Sequence, residues 1–261
     1  MSNDPFLLAE GTRVIVTAGA SGIGRAIADL LIAQKARVHI CDIDDEALVA
    51  FKKVHPTHGA TKADVSKEAD VEILFAESAK TLGGLDALIN NAGIAGPTGK
   101  VEDLSIAEWN RTLDICLTGQ FLCARKAVPL IKSAGGGSIV NMSSAAGRFG
   151  YAFRTPYAAA KWGVIGFTQS LAKELGPDNI RVNAILPGIV EGPRMTNVIK
   201  ARAEQTGVSY KEMEKTYLDR VSMRRMVTAD DVAGTILFLL SHAGRHISGQ
   251  SLGVDGNVET L

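Results

Sequence analysis

Thr17-Ala18-Gly19-Ala20-Ser21-Gly22-Ile23-Gly24 decides the fold. The β-branched run Arg13-Val14-Ile15-Val16-Thr17 leads into it and a helical pattern, Ile23 to Lys35, leads out. The glycines therefore sit where a first strand hands over to a first helix. Glycine there permits a sharp turn and a close backbone approach, and the free N–H groups of a helix start favour an anion such as a pyrophosphate. The spacing is GxxGxG, not GxGxxG. Alone it is a weak signal, because glycine-rich turns without a ligand are common; its position after the very first strand strengthens it.

Outward from this loop, short β-branched runs alternate with longer helical patterns, which implies βαβ units and a parallel sheet. Strands are expected at Arg37 to Cys41, Gly59 to Ala63, Asp86 to Asn90, Ser138 to Met142, Arg181 to Leu186 and Ser251 to Val254. Helices are expected at Lys67 to Leu82, Ile106 to Ser133, Pro156 to Leu175 and Ala229 to Ser241, with Gly176-Pro177 as a stop signal. Gly135-Gly136-Gly137 lies between a helix and a strand and reads as a tight loop. The alternation breaks only at Pro187 to Arg225, where an open sheet would carry a substrate lid. The expectation is an α/β, doubly wound, seven-stranded parallel sheet in a single domain, 1–261, with a lid insertion at about 187–225.

Composition narrows the function classes. Lys plus Arg (28) equals Asp plus Glu (28), so no global field draws in nucleic acid or an anionic membrane. Hydrophobic residues make up 46% and charged residues 21%, ordinary for a soluble globular chain. The three cysteines, Cys41, Cys116 and Cys123, have no CxxC spacing, and no metal site is expected. Their odd number argues against a disulfide framework and for a reducing compartment. Met1 to Leu8 shows no basic segment followed by a long apolar run, and Thr235 to Leu240 is too short to span a bilayer, so cytoplasmic residence is the default expectation.

Asp42 ends the second strand, eighteen residues after Gly24. A carboxylate there can accept hydrogen bonds from both hydroxyls of an adenosine ribose. The bland alternative is a helix N-cap, a role open to Asp44 instead. A 2′-phosphate would bring roughly −1.5 to −2 charges against Asp42. No Arg follows nearby, and residue 21 is Ser rather than a cation, so NAD is favoured over NADP.

Tyr157-Ala158-Ala159-Ala160-Lys161 places a phenol and an ammonium four residues apart, on one face of a helix. Ser143-Ser144 precedes it at the end of the fifth strand, an edge that a doubly wound sheet shares with its cofactor. The alternative is a half-buried Tyr with a snorkelling Lys. The set suits hydride transfer, which needs a base for the alcohol proton. A free Tyr has a pKa of about 10, and lowering it by two to three units requires about 3–4 kcal/mol. One ammonium at about 4 Å supplies about 4 kcal/mol at an effective dielectric near 20. The Ser144 hydroxyl can hold the substrate oxygen as charge develops on it.

The glycine loop, Asn90-Asn91-Ala92-Gly93, the Ser144/Tyr157/Lys161 set and Pro187-Gly188 together resemble the classical short-chain dehydrogenase/reductase family, over essentially the whole chain. The resemblance implies a Rossmann-type fold, catalysis by Ser144, Tyr157 and Lys161, and a homotetramer. It also implies a cofactor lying along Gly19, Ser21, Gly22, Ile23, Gly24, Asn91, Tyr157, Lys161, Pro187 and Ile189, with Asp64 and Val65 flanking the adenine. The activity implied is hydride transfer between NAD and a secondary alcohol or ketone. A sugar, a polyol, an anionic hydroxy acid and an oxoacyl thioester all stay open as substrates, and a non-catalytic dinucleotide sensor is the rival class.

Three departures stand out. Ala18 replaces the glycine that usually follows the first Thr, which is accommodated if its φ is negative. Cys116 stands where the family has an Asn that supports a proton relay behind the lysine; Cys bonds weakly, so the relay is either impaired or carried by backbone carbonyls. Gly192 replaces a hydroxyl residue near the nicotinamide amide, and Thr196 is the candidate substitute. Arg154, Arg148 and Arg194 lie on segments that can face the same cleft, where an Arg suits a carboxylate, phosphate or sulfonate. Their bland alternative is surface solvation or subunit contact.

Overall fold

A computed structural model describes residues 4–258 of the chain. The reading of Met1 to Asn3 lies outside the described residues. Seven strands form one wholly parallel sheet in the order β3-β2-β1-β4-β5-β6-β7. They are β1 (Arg13–Thr17), β2 (Arg37–Asp42), β3 (Gly59–Lys62), β4 (Ala87–Asn90), β5 (Gly137–Met142), β6 (Ile180–Pro187) and β7 (Ser251–Val254). The helices are α1 (Gly22–Ala33), α2 (Asp45–Val54), α3 (Glu68–Leu82), α4 (Ile106–Leu113), α5 (Gly119–Ser133), α6 (Thr155–Leu175), α7 (Pro193–Thr206), α8 (Tyr210–Asp219) and α9 (Ala229–Leu240).

The doubly wound expectation is borne out, and the strand sequences explain it. Both faces of a parallel sheet are covered, so its strands read as continuous apolar runs whose side chains alternate between two cores. Val14 and Val16 enter the core packed by Ile27 and Leu31 of α1 and by Val232 and Ile236 of α9. Ile15, between them, enters the opposite core with Leu74 of α3 and Leu122 and Ile131 of α5. Gly135 and Gly136 take positive φ values of 88° and 121°, and a Cβ on Gly136 would lie 2.5 Å from the Asn179 carbonyl oxygen. The glycine run is a tight turn into β5.

Two elements differ from the expectation. Helix α2 was not foreseen; it starts at Asp44, whose carboxylate accepts from the Ala47 N–H at 3.1 Å. The expected helix from Ile106 to Ser133 is divided into α4 and α5 by a π turn at Asp114–Thr118. One extra residue in that turn keeps the helix continuous while re-aiming its side chains, a device frequent at functional sites. Between β6 and α9 the chain folds into α7 and α8, which share a small core of Ile189, Ile199, Ala203, Met213, Tyr217, Val221 and Val258.

His39 of β2 is buried where β2, β3 and α3 meet. Its Nδ1 lies 2.7 Å from the Thr81 hydroxyl and its Nε2 lies 2.8 Å from the Thr61 hydroxyl. Burial pushes its pKa from the ordinary 6.5 down to about 4, against the pull of Glu77 and with a small push from Lys52. Between those pH values the unfolded chain binds a proton that the folded chain refuses, so stability falls as the solution is acidified. From pH 7 to pH 5 this group removes about 2 kcal/mol of stability. Urea unfolding of the wild type and of His39→Gln at both pH values should show the acid penalty smaller in the variant by that amount.

Candidate active site

Strands β1 and β4 are neighbours, and their chains depart to opposite faces of the sheet. A crevice must open at such a point beyond the strand ends, and a cavity of about 510 Å³ lies there. At its cofactor end, Ser21, Gly22, Ile23 and Gly24 line the wall. Ser21 is the N-cap of α1 but makes no side-chain capping bond, and the first turn of α1 carries no acidic residue. A Cβ on Gly24 would lie 2.0 Å from the Ala18 carbonyl oxygen, and one on Gly19 would lie 2.6 Å from Ile40. These two glycines are there for close packing. Gly22 instead has φ +52° with open space before it.

The loop is anchored from β4. The buried Thr17 hydroxyl accepts from the N–H groups of Asn91 (2.9 Å) and Ala92 (3.0 Å), while Asn91 Nδ2 donates to the carbonyls of Thr17 and Ala18, both at 3.1 Å. Ala18 has φ +49°, in the left-handed region, which corrects the expectation of a negative φ. The turn geometry, held on both sides by these bonds, overrides the preference of the side chain.

Asp42, at the end of β2, is buried. Its Oδ2 accepts from the Ala20 N–H at 3.2 Å, and its Oδ1 accepts from Ile43 at 2.8 Å and Asp44 at 3.3 Å. Asp44, not Asp42, caps α2. Asp64 follows β3 and accepts from the Ser66 hydroxyl at 2.6 Å, and Val65 packs where a Cβ on Gly119 would be. Gly19, Asp42, Asp64 and Val65 are not among the residues that line the cavity. An uncapped helix N-terminus, glycines that admit no Cβ and a carboxylate beyond the loop fit a dinucleotide.

The catalytic candidates meet at the other end. Ser144 follows β5, Tyr157 and Lys161 lie on the first turns of α6, and all three line the cavity with Pro187, Ile189 and Asn91. Pro156, in the first turn of α6, is where a missing N–H costs nothing. Lys161 is 3% exposed, and its Nζ donates to the Met142 carbonyl at 2.7 Å. The Ser143 hydroxyl donates to the Lys161 carbonyl at 2.8 Å, so β5 grips α6 twice. Burial opposes ionisation of the Tyr157 phenol, but Lys161, then Arg194 and a hydrogen bond from Ser144 outweigh it. The phenol pKa ends below its ordinary value, the direction that a base requires.

Cys116, at the centre of the π turn, is buried. Its Sγ accepts from the Ile94 N–H at 3.4 Å and donates to the Ile94 carbonyl at 3.5 Å. Gln120 Nε2 donates at 3.1 Å to both the Cys116 and Met142 carbonyls. The Met142 carbonyl thus accepts from both Lys161 and Gln120.

Two expectations need correction. Thr196 donates its hydroxyl to the Gly192 carbonyl at 3.3 Å and does not line the cavity; Gly192, at φ +136°, begins α7 in a conformation a β-branched residue cannot adopt. Arg148 is exposed and donates to the Ser251 carbonyl at 3.1 Å, away from the cavity. Arg154 and Arg194 do line it. The sequence reading missed Tyr151, Met195, Val198 and Tyr217, which form the wall opposite the glycine loop. No motif marks them, since three of the four come from the α7–α8 segment.

The left-handed Ala18 generates a prediction. An alanine there carries a penalty of about 1–2 kcal/mol, offset in part by the lower entropy of its unfolded chain. Ala18→Gly should stabilise the fold by about 1 kcal/mol, read as a rise in thermal midpoint, with cofactor affinity unchanged within about twofold.

The family model described as enoyl-(acyl carrier protein) reductase matches residues 17–258. Trans-4-hydroxycyclohexanecarboxylate dehydrogenase of Sinomonas cyclohexanicum is 36% identical, over 93% of this chain and 90% of its own. 2-Dehydro-3-deoxy-L-rhamnonate dehydrogenase (NAD(+)) of a Sphingomonas species is also 36% identical, over 88% of each chain. The crystal structure of levodione reductase superposes with a TM-score of 0.88 at 32% identity, over 95% of this chain and 97% of that one.

Proposed function

The chain belongs to the classical short-chain dehydrogenase/reductase family, and from that premise we propose that it uses NAD to oxidise a secondary alcohol, or reduce the matching ketone, at Ser144, Tyr157 and Lys161. That it is a short-chain oxidoreductase of secondary alcohols follows from its relatives. The observation carrying the rest is one cavity that joins an uncapped helix start to a Ser–Tyr–Lys set with its phenol pKa lowered.

NAD supplies the hydride acceptor or donor. In the oxidation direction, Ser144 donates a hydrogen bond to the substrate oxygen, and Tyr157 removes the hydroxyl proton as the carbinol hydrogen leaves. Lys161 stabilises the phenolate that takes up this proton and is itself fixed by the Met142 carbonyl. Asp42 receives the ribose hydroxyls. Its position against the glycine loop, with no ion-pair partner among the described residues, supports NAD over a 2′-phosphorylated cofactor. Gly19, Asp64 and Val65 shape the adenine end. The segment 187–225 serves as the lid, a reading supported by the hydrogen bond that ties Tyr217 of that segment to Tyr151 in the cavity lining.

A cytoplasmic homotetramer is part of the same reading. Three free, buried cysteines suit a reducing compartment, and exposed Ile106, Phe121 and Trp162 on α4, α5 and α6 suit subunit contact.

The direct test is a panel of cyclohexanol, 4-hydroxycyclohexanecarboxylate, polyols, sugar acids and a β-oxoacyl thioester, each with NAD(H) and NADP(H). Turnover of a ring alcohol or hydroxy acid with NAD supports the proposal. Binding of NADH with no turnover of any member would make the protein a dinucleotide sensor, and turnover of the thioester alone would make it an oxoacyl reductase.

Tyr157→Phe should lower turnover by about 10²–10⁴-fold, the usual weight of a general base, while NADH binding by fluorescence stays nearly intact. A retained rate above about a tenth of the wild type would remove Tyr157 from its role. Asp42→Ala should lower kcat/KM for NAD by about tenfold or more, since charged hydrogen bonds contribute roughly 1.5–3 kcal/mol each. NADP should lose less or gain, narrowing the ratio, when both are measured at one ionic strength. An unchanged ratio would leave Asp42 as a turn residue only.

A further inference from the structure

Arg154 is a buried cation without a counter-ion. It is 3% exposed, at the N-cap of α6, three residues before the tyrosine. Its guanidinium stacks between the rings of Tyr151 (5.1 Å) and Tyr157 (5.0 Å), and Nη2 donates to the Ala95 carbonyl. Nε has no acceptor, and no carboxylate among the described residues lies within ion-pair distance of the side chain. Burying a charge is costly unless it is paired, and stacking on aromatic rings returns only part of that cost. Such a site is incomplete.

The surroundings make it more so. Arg194, in the first turn of α7, reaches across to donate to the Gly93 carbonyl at 3.1 Å, and it too has no carboxylate partner. Its charge is felt at the Tyr157 phenol. Lys161 adds a third cation, and the only carboxylate in the cavity lining, among the described residues, is the exposed Glu191. Lys161 has a task at the phenol. Arg154 has none in the transfer of a hydride and Arg194 adds only its field at the phenol, yet both line the space beside it.

We propose that the substrate is a hydroxy acid, or its keto acid, whose carboxylate is bound by Arg154 with Arg194 closing over it from the lid segment, while its carbinol lies between Ser144 and Tyr157. The proposal rests on the hydride-transfer reading above and adds the substrate class. The guanidinium fork matches a carboxylate in shape and charge, and the fixed stacking keeps it from losing rotamer freedom on binding. Arg154 is then a specificity-determining residue, because it sets which alcohol can occupy the seat and takes no part in moving the proton. An Arg154 that merely props up the Tyr157 ring would instead affect every substrate alike.

The test is a binding measurement, independent of turnover. The protein loaded with NADH is titrated calorimetrically with cyclohexanecarboxylate and with the uncharged cyclohexanecarboxamide. The carboxylate should bind the wild type at least about tenfold more tightly, the size of one charge-assisted hydrogen bond. Arg154→Gln should abolish that preference while leaving NADH affinity unchanged, and Arg194→Gln, an exposed position, should reduce it. Equal binding of acid and amide by the wild type would overturn the proposal without recourse to any variant. A preference that survives in Arg154→Gln would overturn it as well. Failure of the hydride-transfer reading shows separately, as absence of turnover in the alcohol panel whatever the calorimetry reports.

Discussion

The buried hydroxyl of Thr17 and the amide of Asn91 hold the molecule's working edge together. At the junction of β1 and β4 the sheet has no crossing helix to close it, and the chain beyond each strand would be free to spread. Thr17 accepts two backbone N–H groups from the β4 exit, and Asn91 returns two bonds to the carbonyls of the β1 exit. Four hydrogen bonds, one buried and three partly buried, fix the loop against the strand; each contributes only about 0.5–1.5 kcal/mol, but losing one partner strands the other. The left-handed Ala18 and the bare Gly24 follow from this clamp, because the loop has to turn within the space it allows.

The catalytic edge is organised by a second constraint, the burial of cations. Lys161 is tolerable inside because the Met142 carbonyl accepts a hydrogen bond from it and the Tyr157 phenol lies near enough to share its field. The energy of that field is what draws the phenol pKa down. Arg202 of α7 is held differently, within 6 Å of the rings of Tyr151, Phe153 and Tyr217, with Nη1 on the Ala152 carbonyl. It ties α7 and α8 to the loop that carries Arg154. With the 2.6 Å contact between the Tyr151 and Tyr217 hydroxyls, it joins the α7–α8 insertion to the cavity lining at Tyr151.

The two constraints meet at Cys116. A π turn brings its thiol against both backbone groups of Ile94, in the strand exit that Asn91 begins, while Gln120 one turn on bonds the carbonyls of Cys116 and Met142. Cofactor edge and lysine are thereby linked through main-chain atoms. A side-chain amide is not needed to keep Lys161 in place, although a thiol contact is a weaker one than an amide would make.

The sequence by itself determined the sheet, its parallel sense, the position of the glycine loop and the spacing of Ser144, Tyr157 and Lys161. Those features are local or periodic: apolar runs of β-branched residues, glycines at a strand–helix junction, and a four-residue spacing that puts two groups on one helix face. It did not disclose α2, a ten-residue helix that buries only Leu48 and Phe51, nor the π turn, which adds a residue without altering the pattern on either side. The sign of φ at Ala18, the retreat of Thr196 and Arg148 from the cavity, and the wall made by Tyr151 and Tyr217 were decided only by tertiary structure. Each depends on which distant backbone group lies within reach of a side chain. Arg148, Arg154 and Arg194 are alike in sequence, and only the packing around them decides that one bonds a strand at the surface while two stand unpaired beside the reacting phenol.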